Sequence, residues 1–395
     1  MRILLSEGSG LTSRQVAGRL GSLGHEVEIL SSSKICLTRF TRHVRAVHDV
    51  PRFGLDPLGW LAAAERIAGE RKSDLLFPTQ EQVTVLSARQ KHLRVATIVP
   101  PFASLTRVQD KISAFRTLKA IGAPQPQTFV ISSADDLRDV ATYPIFLKRP
   151  VSTASSGVRR ATNAQELGAA AREFGLGQSE LIAQSQASGP LAMVQAVADR
   201  GRLVAHHACL RLREGVGGGA SLKESIGLPG LADMLARLVV ALDWHGALSM
   251  DLIVADGGPV IIDVNPRLVE PANALAAGVD LVGAMLDVAG DAPARGRSSG
   301  GAGVRTRQTL LAILGAAEQH AARGAVLREA FDAIFARRDY AGSVEELTPV
   351  AAVPVVAALV ASLIHPPLWR KFHAGAVGPY AVTPEAWDEI LAAAE

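Results

Sequence analysis

Short apolar segments alternate with helical patterns over the first hundred residues of the chain. Arg2 to Leu5 has the length and hydrophobicity of a short buried strand, and apolar residues then recur at helical spacing from Val16 to Leu23. A second unit has a helical pattern around Trp60–Ala68, followed by the apolar run Leu75–Phe77. Strands and helices in alternation favour a parallel sheet that is covered by helices. Residues 1–100 are therefore predicted to form an α/β domain.

Residues 101–290 have a different pattern, in which short apolar strands are more frequent than helices. A helix is predicted from Asp110 to Ile121, and it is stopped by Gly122-Ala-Pro124. Strands are predicted at Thr128–Ile131, Ile145–Pro150, Leu181–Gln184, Met193–Val197, Leu203–Ala208, Leu248–Val254 and Val260–Val264. This stretch is α+β with much antiparallel character. Small and polar residues over 291–303 predict a linker, and residues 304–395 are predicted to be mainly helical.

The segment Met250 to Arg267 contains two apolar strands joined by Asp256-Gly257-Gly258, which is typical of a hairpin turn. Asp263 and Asn265 are two residues apart, so they lie on one face of a strand. Antiparallel pairing can bring Asp251 beside them. Mg²⁺ prefers hard oxygen ligands, usually one or two carboxylates with phosphate oxygens and water. The segment therefore predicts a metal site of Asp251, Asp263 and Asn265; the alternative is that these side chains only face solvent beside a turn.

Composition and charge narrow the class of protein. With 395 residues, 48% hydrophobic and 20% charged, the chain has the composition of a globular protein with two or three domains. A formal net charge of +3 gives no reason to expect a nucleic-acid partner. Two distant cysteines, Cys36 and Cys209, favour a reducing compartment. The N-terminus lacks the long apolar run of a secretory signal, so a cytoplasmic location is expected.

Several motifs in the chain resemble those of the ATP-grasp superfamily, and they occur in the family's order. The matching segments are Asp110-Lys111 with Gly122–Pro126, Pro144-Ile-Phe-Leu-Lys148, Ile182–Gly189, Gly217–Gly219 and Asp263-Val-Asn-Pro-Arg267. They match best the branch of biotin carboxylase and carbamoyl phosphate synthetase. The resemblance covers about residues 1–290. It implies a Rossmann-like domain at 1–100 and an ATP-grasp domain at 101–290 that binds ATP together with Mg²⁺ or Mn²⁺.

The resemblance also implies a role for each matching nucleotide-binding residue. Lys111 and Lys148 would supply positive charge to the phosphates, and Gln184 would lie on the adenine side. For the two lysines the alternative is an ordinary surface position. The loop Ser152–Gly157 can offer backbone N–H groups to phosphate oxygens and close over them as a flap. The candidates in that loop are Ser155, Ser156 and Gly157.

Two arginines are candidates for the catalytic step. Arg267 stands at the mouth of the predicted metal site, where a planar guanidinium suits a carboxylate or a phosphate. Arg211 is a candidate contact to the γ-phosphate or an acyl phosphate, with a surface arginine as the alternative. Glu81 follows a strand end, where open α/β sheets bind ligands; the alternative is a glutamate that only begins a helix. Ser185 stands where many relatives have a glutamate, so the ribose contact stays open.

These features predict an enzyme, an ATP-dependent carboxylate–amine ligase. It would convert a carboxylate into an acyl phosphate and couple it to an amine or a similar nucleophile, with release of ADP and phosphate. The expected partners are small-molecule carboxylate and amine substrates. The alternatives are an ATP-dependent carboxylase or carbamoyl-phosphate-type enzyme, and a nucleotide-binding regulatory protein without catalysis. The oligomeric state is open, and a homodimer is one of the options.

The C-terminal region contains one unusually apolar segment, Val350 to Ile364, which is followed by the aromatic and basic residues of His365–Phe372. As a helix it would extend about 22 Å at about 1.5 Å per residue, which is short of the roughly 30 Å hydrocarbon core of a bilayer. A membrane span is therefore not expected. The favoured prediction is a buried helix that packs on the ATP-grasp domain. The alternative is peripheral membrane contact through residues 350–372.

Overall fold

The N-terminal part of the molecule is a parallel sheet with packing on both faces. The computed structural model describes residues 1–153, 157–291, 299–347 and 352–394. Five parallel strands have the order β3-β2-β1-β4-β5. The elements up to residue 100 are β1 (Arg2–Leu5), α1 (Leu11–Ser22), β2 (Glu26–Ser31), β3 (Val44–Asp49), α2 (Pro57–Arg71), β4 (Leu75–Phe77), α3 (Val83–Ala88) and β5 (Ala96–Thr97).

The first strand shows why the sequence has an uninterrupted apolar run there. Successive side chains of a strand point to opposite faces. Ile3 and Leu5 pack into the core that contains Val16 and Leu20 of α1, whereas Leu4 packs into the core on the α2 side. A strand that is buried on both faces has no polar alternation. The predicted α/β layer is confirmed.

Residues 101–290 form two sheets in which every strand pair is antiparallel. One sheet has the order β6-β9-β7-β8, and the other contains β14-β13-β10-β11-β12. The elements are α4 (Phe102–Gln109), α5 (Lys111–Ala120), β6 (Thr128–Ile131), β7 (Ile145–Lys148), β8 (Val158–Ala161), α6 (Ala164–Glu173), β9 (Leu181–Ser185), β10 (Leu191–Asp199), β11 (Arg202–Glu214), β12 (Ala220–Ser225), α7 (Leu231–Ala241), β13 (Gly246–Ala255), β14 (Gly258–Asn265), α8 (Ala272–Ala276) and α9 (Leu281–Ala289).

The C-terminal part is mainly helical, as predicted, but it also extends the larger sheet with two strands. Its elements are β15 (Arg305–Arg307), α10 (Thr309–His320), α11 (Arg323–Ile334), β16 (Val344–Glu345), α12 (Ala352–Ile364), α13 (Trp369–Val377) and α14 (Pro384–Ala394). Strand β15 pairs with β12, and β16 pairs with β15. The predicted linker at 291–303 falls mostly outside the described residues.

The last helix returns to the N-terminal domain. Trp387 and Ile390 of α14 share a hydrophobic core with Trp60 and Leu61 of α2. Residues from the two ends of the chain therefore exclude water from the same interior, and this contact stabilises both by removing apolar surface from water. The C-terminal region is consequently wrapped around the first domain instead of extending away from it.

Helix α12 is the apolar segment for which the sequence favoured a buried helix. Val355 and Ala358 are buried, but Val353 is 60% exposed and Val356 is 55% exposed. The expected burial is therefore right for one side of the helix only. The helices that cover that side, α10 and α11, belong to the C-terminal region, whereas packing on the domain of residues 101–290 was expected. In the described ranges, no helix has both the length and the hydrophobicity needed to cross a membrane.

Candidate active site in the central cavity

A cavity of about 1430 Å³ lies between the N-terminal loops, the two antiparallel sheets and the C-terminal helices. Most of the residues that the sequence singles out line it: Lys111, Lys148, Gln184, Arg211, Asp251, Asp263, Asn265 and Arg267. Gly157 is not one of the lining residues, although the adjacent Val158 is. Ser155 and Ser156 lie outside the described residues. The fold thus gathers residues from five strands, the start of α5 and the loop after β14 around one space.

Lys148 ends β7 with its ammonium group buried in the cavity wall. Its Nζ donates hydrogen bonds to Gln184 Oε1 and to the backbone oxygen of Ile262, both at 2.8 Å. Burial lowers the pKa of Lys148, while the Asp263 carboxylate opposes that change. The hydrogen bond to Gln184 arises because β7 and β9 are antiparallel neighbours. The predicted phosphate lysine and the predicted adenine-side glutamine therefore contact each other directly.

The hairpin of β13 and β14 brings its two carboxylates together. Asp251 is the cross-strand partner of Asp263, and Asn265 pairs with Ser249 two residues along. The pKa of Asp251 is raised to about 7, mainly by loss of hydration and also by the neighbouring Asp263 carboxylate. Arg211 and Lys148 act in the opposite direction. Two carboxylates held this close repel each other, and a divalent cation between them would relieve that repulsion.

The chemistry of this donor set fits Mg²⁺. The candidate ligands are two carboxylates and one amide oxygen, which are the hard oxygen ligands that Mg²⁺ prefers. In the part of the chain that the structure describes, no group of three or more His, Cys, Asp or Glu side chains could hold a metal. A cation at this hairpin would therefore need phosphate oxygens or water to complete its coordination, as is usual for Mg²⁺ bound with a nucleotide.

Arg267 forms a buried ion pair with Glu81. The Nε and Nη2 atoms of the guanidinium each lie 3.0 Å from Glu81 Oε1, and the side chains are only 11% and 6% exposed. Burial alone would lower the pKa of Arg267, but Glu81 outweighs that effect and raises it. Two roles were considered for Glu81, a ligand contact and a glutamate that only begins a helix. In the structure Glu81 has a third role, in which it holds Arg267 in place. The ion pair therefore connects the N-terminal domain to the end of the β13–β14 hairpin.

Arg211 lies against the glycine-rich turn that follows β11. Its Nη1 donates to the backbone oxygen of Gly218 at 2.6 Å, and its Nη2 lies 3.3 Å from a carboxylate oxygen of Glu214. These contacts hold the side chain along the cavity wall while leaving it partly exposed. The turn itself requires glycine, since Gly217 and Gly218 both have positive φ.

A buried cluster that the sequence analysis missed lies beside this site. Lys223 Nζ lies 2.6 Å from Glu270 Oε2 and 3.1 Å from Glu346 Oε2. Burial lowers the pKa of Lys223, but the two glutamates outweigh burial and raise it. Glu270 also lines the cavity. The only sequence signal for this cluster was the position of Glu270 three residues after Arg267, because Lys223 and Glu346 are distant from it in the sequence.

Comparisons with known proteins agree on the fold. A family model described as an ATP-grasp domain matches residues 108–271. A search of curated proteins found no significant match. Among solved structures, the chain is similar to the biotin carboxylase domain of 2-oxoglutarate carboxylase from Hydrogenobacter thermophilus, solved with MgADP, ADP and bicarbonate, with a TM-score of 0.59 and 19% identity over 73% of this chain and 69% of that one.

Two further solved structures extend the comparison. L-amino acid ligase from Bacillus licheniformis has a TM-score of 0.59 and 16% identity, over 73% of this chain and 74% of that chain. An ADP complex of N5-carboxyaminoimidazole ribonucleotide synthetase has a TM-score of 0.64 and 14% identity, over 90% of this chain and 96% of that chain. At these identities the likeness is one of fold. The last comparison includes most of the C-terminal region.

Proposed function

We propose that the protein is an ATP-dependent carboxylate–amine ligase, since a family model described as an ATP-grasp domain matches residues 108–271. A carboxylate oxygen attacks the γ-phosphorus of ATP and gives ADP and an acyl phosphate. The amine then displaces phosphate and forms the amide. The observation that carries this proposal is the cross-strand pair of Asp251 and Asp263 in one cavity with Lys148 and Arg267.

The residues on the nucleotide side have the charges that phosphoryl transfer needs. Lys148 and Lys111 would neutralise phosphate oxygens, and Asp251, Asp263 and Asn265 would hold Mg²⁺ or Mn²⁺. When bound, the metal supplies charge neutralisation and orients the phosphate oxygens. The neighbours solved with ADP, one of them as the magnesium salt, support this choice of nucleotide and metal.

Arg267 would orient the attacking carboxylate. Its fork of N–H donors suits a carboxylate, and Glu81 fixes the fork in place through the buried ion pair. Holding the two reacting groups in attack geometry is the main contribution a protein makes to phosphoryl transfer. Arg211 lines the same cavity beside the glycine-rich turn and would meet the acyl phosphate as its charge develops.

A carboxylase is the second candidate, with bicarbonate in place of the organic acid. It is favoured by the solved carboxylase domain that holds bicarbonate together with MgADP. Both reactions begin with attack of an oxygen on the γ-phosphate, so the same residues would serve either. We also propose a cytoplasmic location, which the buried free thiols of Cys36 and Cys209 support.

The test is the release of ADP and phosphate in the presence of pooled carboxylic acids and amines, followed by mass spectrometry of the product. With ¹⁸O in the substrate carboxylate, label is expected in the released phosphate. Label in AMP, with pyrophosphate as the by-product, would contradict the acyl-phosphate route. Turnover that requires bicarbonate but no organic acid would select the carboxylase, and ATP binding without turnover under any condition would select a regulatory protein.

A further inference from the structure

The cavity has more room than a nucleotide needs. Common small-molecule pockets measure roughly 300–1,000 Å³, whereas this cavity measures about 1430 Å³. The candidate nucleotide and metal residues occupy the part of its wall that belongs to β7, β9, β13 and β14. The remaining wall comes from the N-terminal loops, β10, β11 with the glycine-rich turn after it, and the C-terminal helices. A second molecule of substantial size therefore fits beside the nucleotide.

The part of the remaining wall that α10 and α12 form is apolar. Helix α10 contributes Leu311 and Leu314, and both belong to a hydrophobic core against which Leu37 and Phe372 also pack. Helix α12 contributes Val353 to the same wall. The charged groups of the candidate metal site are on the sheets, at the other part of the cavity. The cavity thus has a charged part at the sheets and an apolar part at α10 and α12, while the N-terminal loops and α13 add polar residues such as Arg52, Lys371 and His373.

Large apolar side chains at this wall are open to solvent. Ile35 is 79% exposed and Val353 is 60% exposed, and both line the cavity. Exposed apolar groups that border a cavity commonly mark a ligand-binding surface. A ligand with an apolar body would cover them and would gain affinity from the surface that leaves water.

The glycine-rich turn connects the two parts of the cavity. Arg211 donates to the backbone oxygen of Gly218 at 2.6 Å. On the next residue, a Cβ added to Gly219 would lie only 3.1 Å from Leu311 Cδ1. Arg211 and Leu311 therefore flank the same short turn. The apolar wall of α10 therefore begins at the same turn that Arg211 contacts.

We propose that the acid substrate of this enzyme carries a long apolar chain, with its carboxylate toward Arg211 and Arg267 and its chain along α10 and α12. This inference rests on the proposed ligase function and specifies its acid. The carboxylate oxygen forms a bond to the γ-phosphorus while the bond from that phosphorus to the β,γ-bridging oxygen breaks, and the bridging oxygen leaves as part of ADP with the electron pair of that bond. The amine then displaces phosphate, forms the C–N bond and loses a proton to water.

The first experiment measures binding to the intact protein in the presence of ADP and Mg²⁺. The probe is dansyl-labelled undecanoate, followed by fluorescence and displaced by acetate, hexanoate, decanoate or tetradecanoate. Affinity is expected to rise with chain length, by up to about fourfold for each methylene that leaves water. Affinity that is independent of chain length, or no displaceable binding, would overturn the inference.

The second experiment uses a matched pair of variants on one helix. Val353→Asp places a charge on the cavity wall, and decanoate affinity is expected to fall by roughly tenfold or more because the charge must be desolvated. Val356→Asp is the control, since Val356 is equally exposed, at 55%, but is not one of the lining residues. Its affinity is expected to stay within about twofold of the wild type. Equal effects of both variants would also overturn the inference.

The outcomes separate this inference from the proposed function. Long-chain acids that bind as described, but that never cause ADP release with any amine, would leave the apolar site standing and refute the ligase. Conversely, rapid ADP release with small polar acids, together with no chain-length preference in binding, would support the ligase and refute the apolar acid. Circular dichroism of both variants confirms that they are folded.

Discussion

The ion pair of Arg267 and Glu81 offers a way to separate structural from chemical roles at this site. Replacing Arg267 by Met leaves Glu81, which is only 6% exposed, without its cation. Removing one partner of a buried ion pair costs about 3–5 kcal/mol of stability. The double variant Arg267→Met with Glu81→Gln removes both charges, and Gln109 can still hydrogen-bond the residue at position 81. Its stability is expected to return to within about 1–2 kcal/mol of the wild type.

The variants of Arg267 and Glu81 should rank differently in activity and in stability. Both variants that lack Arg267 are expected to lose nearly all acid-dependent ADP release, because the donor fork that orients the carboxylate is gone. Glu81→Gln alone retains Arg267 but no longer fixes it, so a fall in turnover of about tenfold or more is expected. The double variant would therefore be stable and inactive.

Two measurements check this reasoning. Urea unfolding, followed by tryptophan fluorescence, gives the stability of the wild type, both single variants and the double variant. A coupled assay gives ADP release for the same four proteins. If the two stability losses simply add in the double variant, the residues are not energetically paired. If the double variant regains near wild-type turnover, Arg267 has only a structural role, and the proposed part it plays in catalysis is wrong.

Three other predictions concern the candidate metal ligands of the β13–β14 hairpin, the buried Lys148 and the buried Glu7. Asp263→Ala and Asn265→Ala should each abolish turnover without unfolding the protein. The control is Asp256→Ala, in the exposed turn of the same hairpin, which should leave turnover within about twofold of the wild type. Equal activity of all three variants would refute the metal site. Lys148→Met should weaken binding of ADP, measured by calorimetry, by at least about tenfold, because a buried phosphate contact is lost; unchanged affinity would contradict its assignment. Burial raises the pKa of Glu7 to about 7, above its ordinary value of 4.5, so the folded state binds more protons than the unfolded state between those values. Wild-type stability should therefore fall as pH rises to about 7. Glu7→Gln should make that fall smaller, leaving the share that the raised pKa of Asp251 contributes, and should be more stable than the wild type above about pH 7 by up to roughly 3 kcal/mol. Thermal unfolding of both proteins at several pH values would show whether the slope decreases, and an unchanged slope would refute the prediction.

Much of the candidate site could be predicted because its signals are local. The hairpin from Met250 to Arg267 combines a turn with two apolar strands, and these features lie within a few residues of one another. A period of two was enough to place Asp263 and Asn265 on one face. The pairing of Asp251 with Asp263 depends on a register shift between Asp251 and Leu252, which the length of the turn does not give. The function of Asp251, Asp263 and Asn265 as metal ligands stays a prediction.

Other parts of the site had no local signal. The partner of Arg267 lies 186 residues away in the sequence. Lys223 and Glu346 are 123 residues apart, and no pattern of spacing connects them. The exposed face of α12 was also missed, because an apolar helix has the same sequence whether it is covered on one side or on all sides.

The sequence by itself therefore determined the elements, the turn chemistry and the faces of strands, since these depend on side chains that are close in the chain. The tertiary structure decided which elements meet: α14 against the first domain, Glu81 against Arg267, and Leu311 against the glycine-rich turn. Such contacts depend on how the surfaces of whole elements fit together and exclude water. All residues of the contacting surfaces contribute to that fit together. The same reason applies to the apolar part of the cavity. Its walls face each other only after the N-terminal loops, the sheets and the C-terminal helices have packed together.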